Sequence, residues 1–80
     1  FYSVFMTSID ELIKLGKTNL DDGNYINALI FFDKALTLAK DNADVWNLKG
    51  VVLRSLGRYE EASDCYKKSL ELEPRDKASS

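Results

Sequence analysis

Eighty residues, 45% apolar and 30% charged, describe one small globular domain of soluble type that buries only about 60% of its unfolded surface. A net charge of −2 lacks the cationic excess that binding to phosphate backbones requires, which argues against a nucleic-acid partner, and no apolar run approaches the roughly 20 residues of a membrane span. One cysteine, Cys65, and no histidine exclude an intramolecular disulfide, a zinc site within the chain and the common Ser-His or Cys-His nucleophile pairs, so no cofactor is expected and the composition suits the cytoplasm.

In chain order, residues 1–8, FYSVFMTS, form an apolar N-terminal extension without the charged region and long apolar core of a signal peptide. They start with Phe, which reads as a piece of a longer protein whose extension continues or lies against the first helix. The sharper alternative has Phe1, Tyr2, Val4 and Phe5 filling an apolar groove of this or a neighbouring molecule. Ser8-Ile9-Asp10-Glu11 has capping-box spacing, with the Ser8 hydroxyl accepting from the Glu11 N–H and the Glu11 carboxylate reaching back. A helix is expected from about Ser8 to Asp21, with Asp22-Gly23 as its stop.

Asn24 is expected to cap a second helix through about Ala39, in which Tyr25, Ala28, Leu29, Phe32, Ala35 and Leu36 recur at three and four. Asp41 or Asn42 caps a third, about Ala43 to Leu56, ended by Gly57. A fourth runs from about Tyr59 to Leu72, with Glu60 and Glu61 complementing its positive end and Pro74 blocking its continuation before a frayed tail.

Gly16 and Gly50 each sit inside a helix, where glycine costs about 1 kcal/mol relative to alanine. Facing them one helix later are Ala28 and Ala62, so small residues on both sides let the helices approach closely, with Phe32 and Tyr66 expected at the rim of the contact. Neither glycine belongs to a Gly-rich strand-to-helix turn, which removes a phosphate loop from consideration.

These pairs are two of eight identities that appear when residues 9–42 are slid onto 43–76: Asp10/Asp44, Gly16/Gly50, Gly23/Gly57, Tyr25/Tyr59, Ala28/Ala62, Lys34/Lys68, Leu36/Leu70 and Leu38/Leu72. Chance supplies roughly two, and a fixed offset of 34 residues marks two copies of one unit. The order Trp46-x-x-Lys49-Gly50-x-x-Leu53, Ala62-x-x-x-Tyr66 and Pro74 resembles the tetratricopeptide repeat. Lys49 stands where that family usually has Leu and Leu53 where it has Tyr; in the first copy Leu12, Asn19 and Lys40 replace Trp, Tyr and Pro. The resemblance implies an all-α fold of two tandem helix-turn-helix units, 9–42 and 43–76, in a right-handed superhelix, followed by a tail over 77–80.

It also implies a concave face lined by the first helix of each unit, as the binding site for a protein or peptide. The matching positions are Asp10, Ile13, Lys14, Lys17, Leu20 and Asp21 in unit one, and Asp44, Asn47, Leu48, Val51, Arg54 and Ser55 in unit two. Ile13, Leu20, Leu48 and Val51 give an apolar strip, and Lys14, Lys17 and Arg54 give donors, a combination suited to an amphipathic peptide with acidic groups. The family's clamp for chaperone C-terminal carboxylates uses Lys and Asn where this chain has Ile13, Lys17 and Leu48, which disfavours that ligand. The apolar strip alternatively contacts flanking repeats or a second copy of the chain.

The acids Glu60, Glu61, Asp64, Glu71 and Glu73 alternate with Arg58, Lys67 and Lys68 along one helix, the pattern of a solvated surface rather than a paired-acid site. Cys65 has no cation pattern that would activate it and reads as a packed or half-exposed thiol. The chain is therefore expected to be a non-catalytic interaction module. The alternative is an accessory domain of a larger enzyme or regulator whose chemistry lies outside these residues. Surplus apolar surface at both ends leads us to expect self-association, by a two-fold dimer or by head-to-tail stacking.

Overall fold

A computed structural model describes residues 8–74; expectations for the FYSVFM stretch and for the tail lie outside the described residues. The described residues form four helices: α1 (Ile9–Asp21), α2 (Tyr25–Leu38), α3 (Ala43–Ser55) and α4 (Tyr59–Leu72). Consecutive helices pack as neighbours, α1 on α2, α2 on α3 and α3 on α4, while α1 and α3 touch lightly. Among the described residues the fold is all-α, two helical hairpins in tandem.

The turns inside the two hairpins are built alike. Gly23 and Gly57 both have φ of 83°, a left-handed conformation that glycine reaches without steric cost. The Gly23 N–H donates to Leu20 O and the Asn24 N–H to Asn19 O, at 3.1 and 2.8 Å; Gly57 to Arg54 and Arg58 to Leu53 repeat the pattern at 3.0 and 2.9 Å. This paired closure ends a helix and fixes the direction of the next. It also corrects the expected cap at Asn24, whose side chain makes no capping bond. The backbone of Asn24 is already committed to closing α1, and Arg58 takes the same role and nearly the same dihedrals at the matching place.

The turn between units is different. Asn42, rather than Asp41, caps α3, its side-chain oxygen accepting from the Val45 N–H at 3.2 Å. At α1 the Glu11 N–H donates to Ser8 Oγ at 3.2 Å. Among the described residues this is the half of the expected capping box that forms.

Two apolar clusters fill the interior. Leu12, Ala28, Phe32, Ala35, Leu36, Val45 and Val52 join unit one to α3, while Leu53, Ala62 and Cys65 hold α3 on α4. Phe32 is fully buried, and a Cβ placed on Gly16 would overlap its ring. One placed on Gly50 would stand 2.7 Å from Cε1 of Tyr66. The aromatic rings thus lie directly on the glycines, not at the rim of the contact. A methyl-sized gap is what lets each ring seat flat on the opposing backbone.

Trp46 sits half-buried at the joint between the units, packed against both clusters, and its Nε1–H donates to Lys40 O at 2.8 Å. Ser69, buried on α4, donates its hydroxyl to Ala43 O at 2.9 Å and so ties the end of α4 to the start of α3.

Two stability predictions follow from this packing. Gly16→Ala gains about 1 kcal/mol of helix propensity but overpacks against a ring that has nowhere to go, for a net loss of about 1–2 kcal/mol. Gly50→Ala loses less, because Tyr66 is only half-buried and its ring has room to swing outward. Thermal denaturation should lower the Tm in that order, and a Tm raised by Gly16→Ala would show that Phe32 has room to move. For Trp46, replacement by Ala should cost about 3 kcal/mol and by Phe about 1–2 kcal/mol, the latter mostly the lost bond to Lys40. Urea melts followed by circular dichroism would test this, equal midpoints for the Ala variant and the parent counting against Trp46 as the joint.

Candidate functional site

Because α2 returns the chain between them, α1 and α3 run in the same direction, side by side. Between them opens a groove of about 490 Å³ lined by Asp10, Ile13 and Lys17 from α1, Asn42 from the turn, and Asp44, Asn47 and Leu48 from α3. Asp10, Ile13, Lys17, Asp44, Asn47 and Leu48 of the expected set are brought together there. Lys14, Leu20, Asp21, Val51, Arg54 and Ser55 do not line it. Of these, Lys14, Asp21, Arg54 and Ser55 are exposed, whereas Leu20 and Val51 are half-buried. Leu20, together with Ile13 and Leu48, packs against the core cluster, so part of the expected apolar strip is spent on the interior.

Asn42 is a lining residue that sequence reasoning assigned only to a cap. Its side-chain oxygen is taken by the Val45 N–H, which leaves the amide nitrogen to offer a ligand. The charges are graded along the groove. Asp10 and Asp44 stand in the first turns of α1 and α3, so two carboxylates mark one end. Lys17, the cation among the lining residues, lies two turns further along α1.

On the other side of the junction, α2 and α3 frame a second hollow of about 420 Å³ with Asp33, Leu36, Thr37, Lys40, Trp46 and Lys49. Lys49, the residue that departs from the family pattern, has a partner here: its Nζ is 2.8 Å from Asp33 Oδ1 and 5.6 Å from the centre of the Trp46 ring. An ammonium held by a carboxylate over the face of a tryptophan is a stable place for a lysine stem that crosses an apolar joint. The sequence carried a signal for it: Lys49 falls three residues after Trp46 and four before the buried Leu53, on the packing face of its helix.

The acids of α4 are all exposed. Arg58 grips Glu61 through two bonds, Nε to Oε2 and Nη2 to Oε1, both 2.8 Å. That hydrogen bonding holds the Glu61 carboxyl below, and the Arg58 guanidinium above, their ordinary ranges. Cys65 is buried at 5% exposure, and burial pushes its thiol up despite the nearby Lys49. Among the described residues no group of three or more His, Cys, Asp or Glu is arranged to hold a metal ion. No described helix is long and apolar enough to cross a membrane.

Comparison with known proteins agrees with the hairpin geometry. A tetratricopeptide-repeat profile matches residues 43–76 and a second matches residues 12–42. The chain belongs to the tetratricopeptide-repeat family. It is 43% identical over 51 residues to an uncharacterized protein of Methanocaldococcus jannaschii, a match that takes in 64% of this chain and 59% of that protein. Tetratricopeptide repeats are protein-interaction modules, and the departures at Lys49 and Leu53 in this chain leave the repeat geometry intact because the first is ion-paired and the second is buried in the α3/α4 cluster.

The state of Cys65 gives a prediction with a definite sign. In the folded chain the thiol keeps its proton to higher pH than in the unfolded chain, so stability is fully present below the unfolded pKa, near 8.5, and declines as pH rises above it. Denaturant midpoints should fall between pH 8 and pH 10, and Cys65→Ala should remove that part of the slope. Ellman's reagent should modify the native chain far more slowly than the urea-unfolded one; equal rates would show the thiol to be accessible.

Proposed function

We propose that this chain is a non-catalytic interaction module that holds an extended or amphipathic peptide segment in the groove between α1 and α3. The convergence of Ile13 and Leu48 with Lys17, Asn42, Asn47 and two carboxylates carries the reading. Apolar side chains desolvate the peptide, the amides bond its backbone, and the graded charges orient it. On this reading Leu20 and Val51 extend the apolar strip and Lys14 and Arg54 extend its basic end, with Asp21 and Ser55 beyond them. Acidic groups of the peptide would meet Lys14, Lys17 and Arg54, and its donors would meet Asp10 and Asp44. The module acts in the cytoplasm, needs no cofactor, binds neither nucleic acid nor membrane, and also binds itself. Exposed Tyr59 and Leu70 support the last point.

Selection of peptides displayed on phage against the 80-residue chain, followed by titration calorimetry of the enriched sequence, tests the groove. Lys17→Glu and Asn47→Ala should each weaken binding about tenfold, the loss of one charged or well-aligned polar contact, with helicity unchanged. Lys17→Glu should also invert the preference for acidic peptides. Enriched peptides that bind both variants as tightly as the parent would put recognition elsewhere.

A further inference from the structure

Matching the units at their 34-residue offset sets the face of α2 that α3 covers beside the equivalent face of α4. On α2, Phe32 is fully buried, Leu36 is 7% exposed, and Tyr25 and Leu29 pack against the same cluster. Their counterparts on α4 are Tyr66, Leu70, Tyr59 and Ser63. Leu70 is 49% and Tyr59 67% exposed, Ser63 is exposed and Tyr66 half-buried. Among the described residues, α4 therefore repeats a surface made for a helix to lie on, with no helix on it.

Head-to-tail stacking of copies fits this surface poorly. Buried Val45 and Val52 of α3 belong to the cluster that joins it to unit one, and Trp46 and Lys49 of α3 reach Lys40 and Asp33 on the α2 side. The residues of α1 that match Val45, Trp46, Lys49 and Val52 are Glu11, Leu12, Leu15 and Thr18, of which Leu12 is already packed in the core of unit one, so an α1 laid on α4 would bury the Glu11 carboxylate and the Thr18 hydroxyl against it.

The stripe fits itself far better. Tyr59, Ser63, Tyr66 and Leu70 are spaced four, three and four, the seam of a two-stranded helix pair. If two α4 helices run antiparallel about a two-fold axis between Asp64 and Cys65, Tyr59 meets the partner's Leu70 and Tyr66 meets the partner's Ser63, large beside small. Along the solvent-side edge Glu60 then falls opposite the partner's Lys67, and Lys67 opposite the partner's Glu60. The matching edge position on α2 is Asp33, which already makes such a pair across the internal junction, with Lys49 at 2.8 Å.

We propose that α4 is a self-complementary docking face through which two copies of the chain associate antiparallel, in the register that pairs Tyr59 with the partner's Leu70 and Glu60 with the partner's Lys67. The proposal rests on the self-binding reading above and specifies its surface and orientation.

Sedimentation equilibrium of the 80-residue chain and four variants tests it, with circular dichroism confirming that each remains folded. The parent should dimerise with a Kd on the order of tens of micromolar, as suits a small interface. Leu70→Glu should raise that Kd more than tenfold. Glu60→Lys and Lys67→Glu should each raise it about fivefold by replacing two attractive pairs with repulsive ones, and the double variant should return it to within about twofold of the parent. Dimerisation indifferent to the charge reversals would refute this register while leaving self-association standing. Dimerisation indifferent to Leu70→Glu would move the interface off α4, and open-ended assembly would restore head-to-tail stacking. A chain monomeric at a few hundred micromolar would refute both readings.

Discussion

The seating of an aromatic ring on a glycine backbone is the contact on which the rest of the fold depends. Phe32 on Gly16 and Tyr66 on Gly50 set how near the second helix of each unit comes to the first. The approach also brings Ala28 and Ala62 into the interior, where they are 0% and 2% exposed. A helix-interior glycine is a liability by propensity alone, so its presence twice at one spacing marks a place where packing outweighs propensity. The two contacts are not equivalent. Phe32 is enclosed because α3 lies over α2, whereas Tyr66 keeps one side open because nothing described lies over α4.

With the hairpins fixed, the joint between them decides where the groove lies. Lys40, Trp46, Lys49 and Asp33 form a chain of polar contacts across an apolar seam: an indole N–H on a carbonyl, an ammonium over the indole and a carboxylate on the ammonium. Each polar group in that seam has a partner, which matters because an unpaired one would cost more than the bond contributes. Val45 and Val52, both fully buried, lock α3 to α2 beneath it. Holding α3 against α2 is what leaves α1 and α3 side by side with an open channel, since α2 occupies the far side of both.

That channel is a direct product of the repeat. Identical Asp10 and Asp44 stand at its acidic end because they hold the same place in each unit, while Ile13 and Lys17 of α1 and Asn47 and Leu48 of α3 give its two sides different chemistry because the copies have diverged at those positions. Of the eight identities, Gly16/Gly50 and Ala28/Ala62 are buried in both copies, whereas Asp10/Asp44 and Lys34/Lys68 are exposed in both. The copies diverge inside as well, buried Val45, Val52 and Leu53 standing where unit one has Glu11, Thr18 and Asn19, because α3 packs against both α2 and α4 while α1 packs mainly on α2.

Read alone, the sequence determined the four helices of the described residues, their limits to within a residue or so, and the repeat that relates them, because these depend on local signals: glycine at the turns, apolar residues at three and four, and Pro74 as a stop. Six of the twelve residues expected on the concave face line one groove, since helical phase fixes which side chains share a face. Other features waited on tertiary structure. Asn24 has the right chemistry for a cap, but its backbone is committed to closing the helix before it. Asn42 entered the groove, and Leu20 and Val51 stayed outside it, because the edge of a groove is set by how two helices lean together, a quantity no single helix encodes. The partner of Lys49 lies sixteen residues away on another helix, and the acceptor of Ser69 twenty-six away. Local pattern tells which groups must find partners, and only the packed chain decides which partners come within reach.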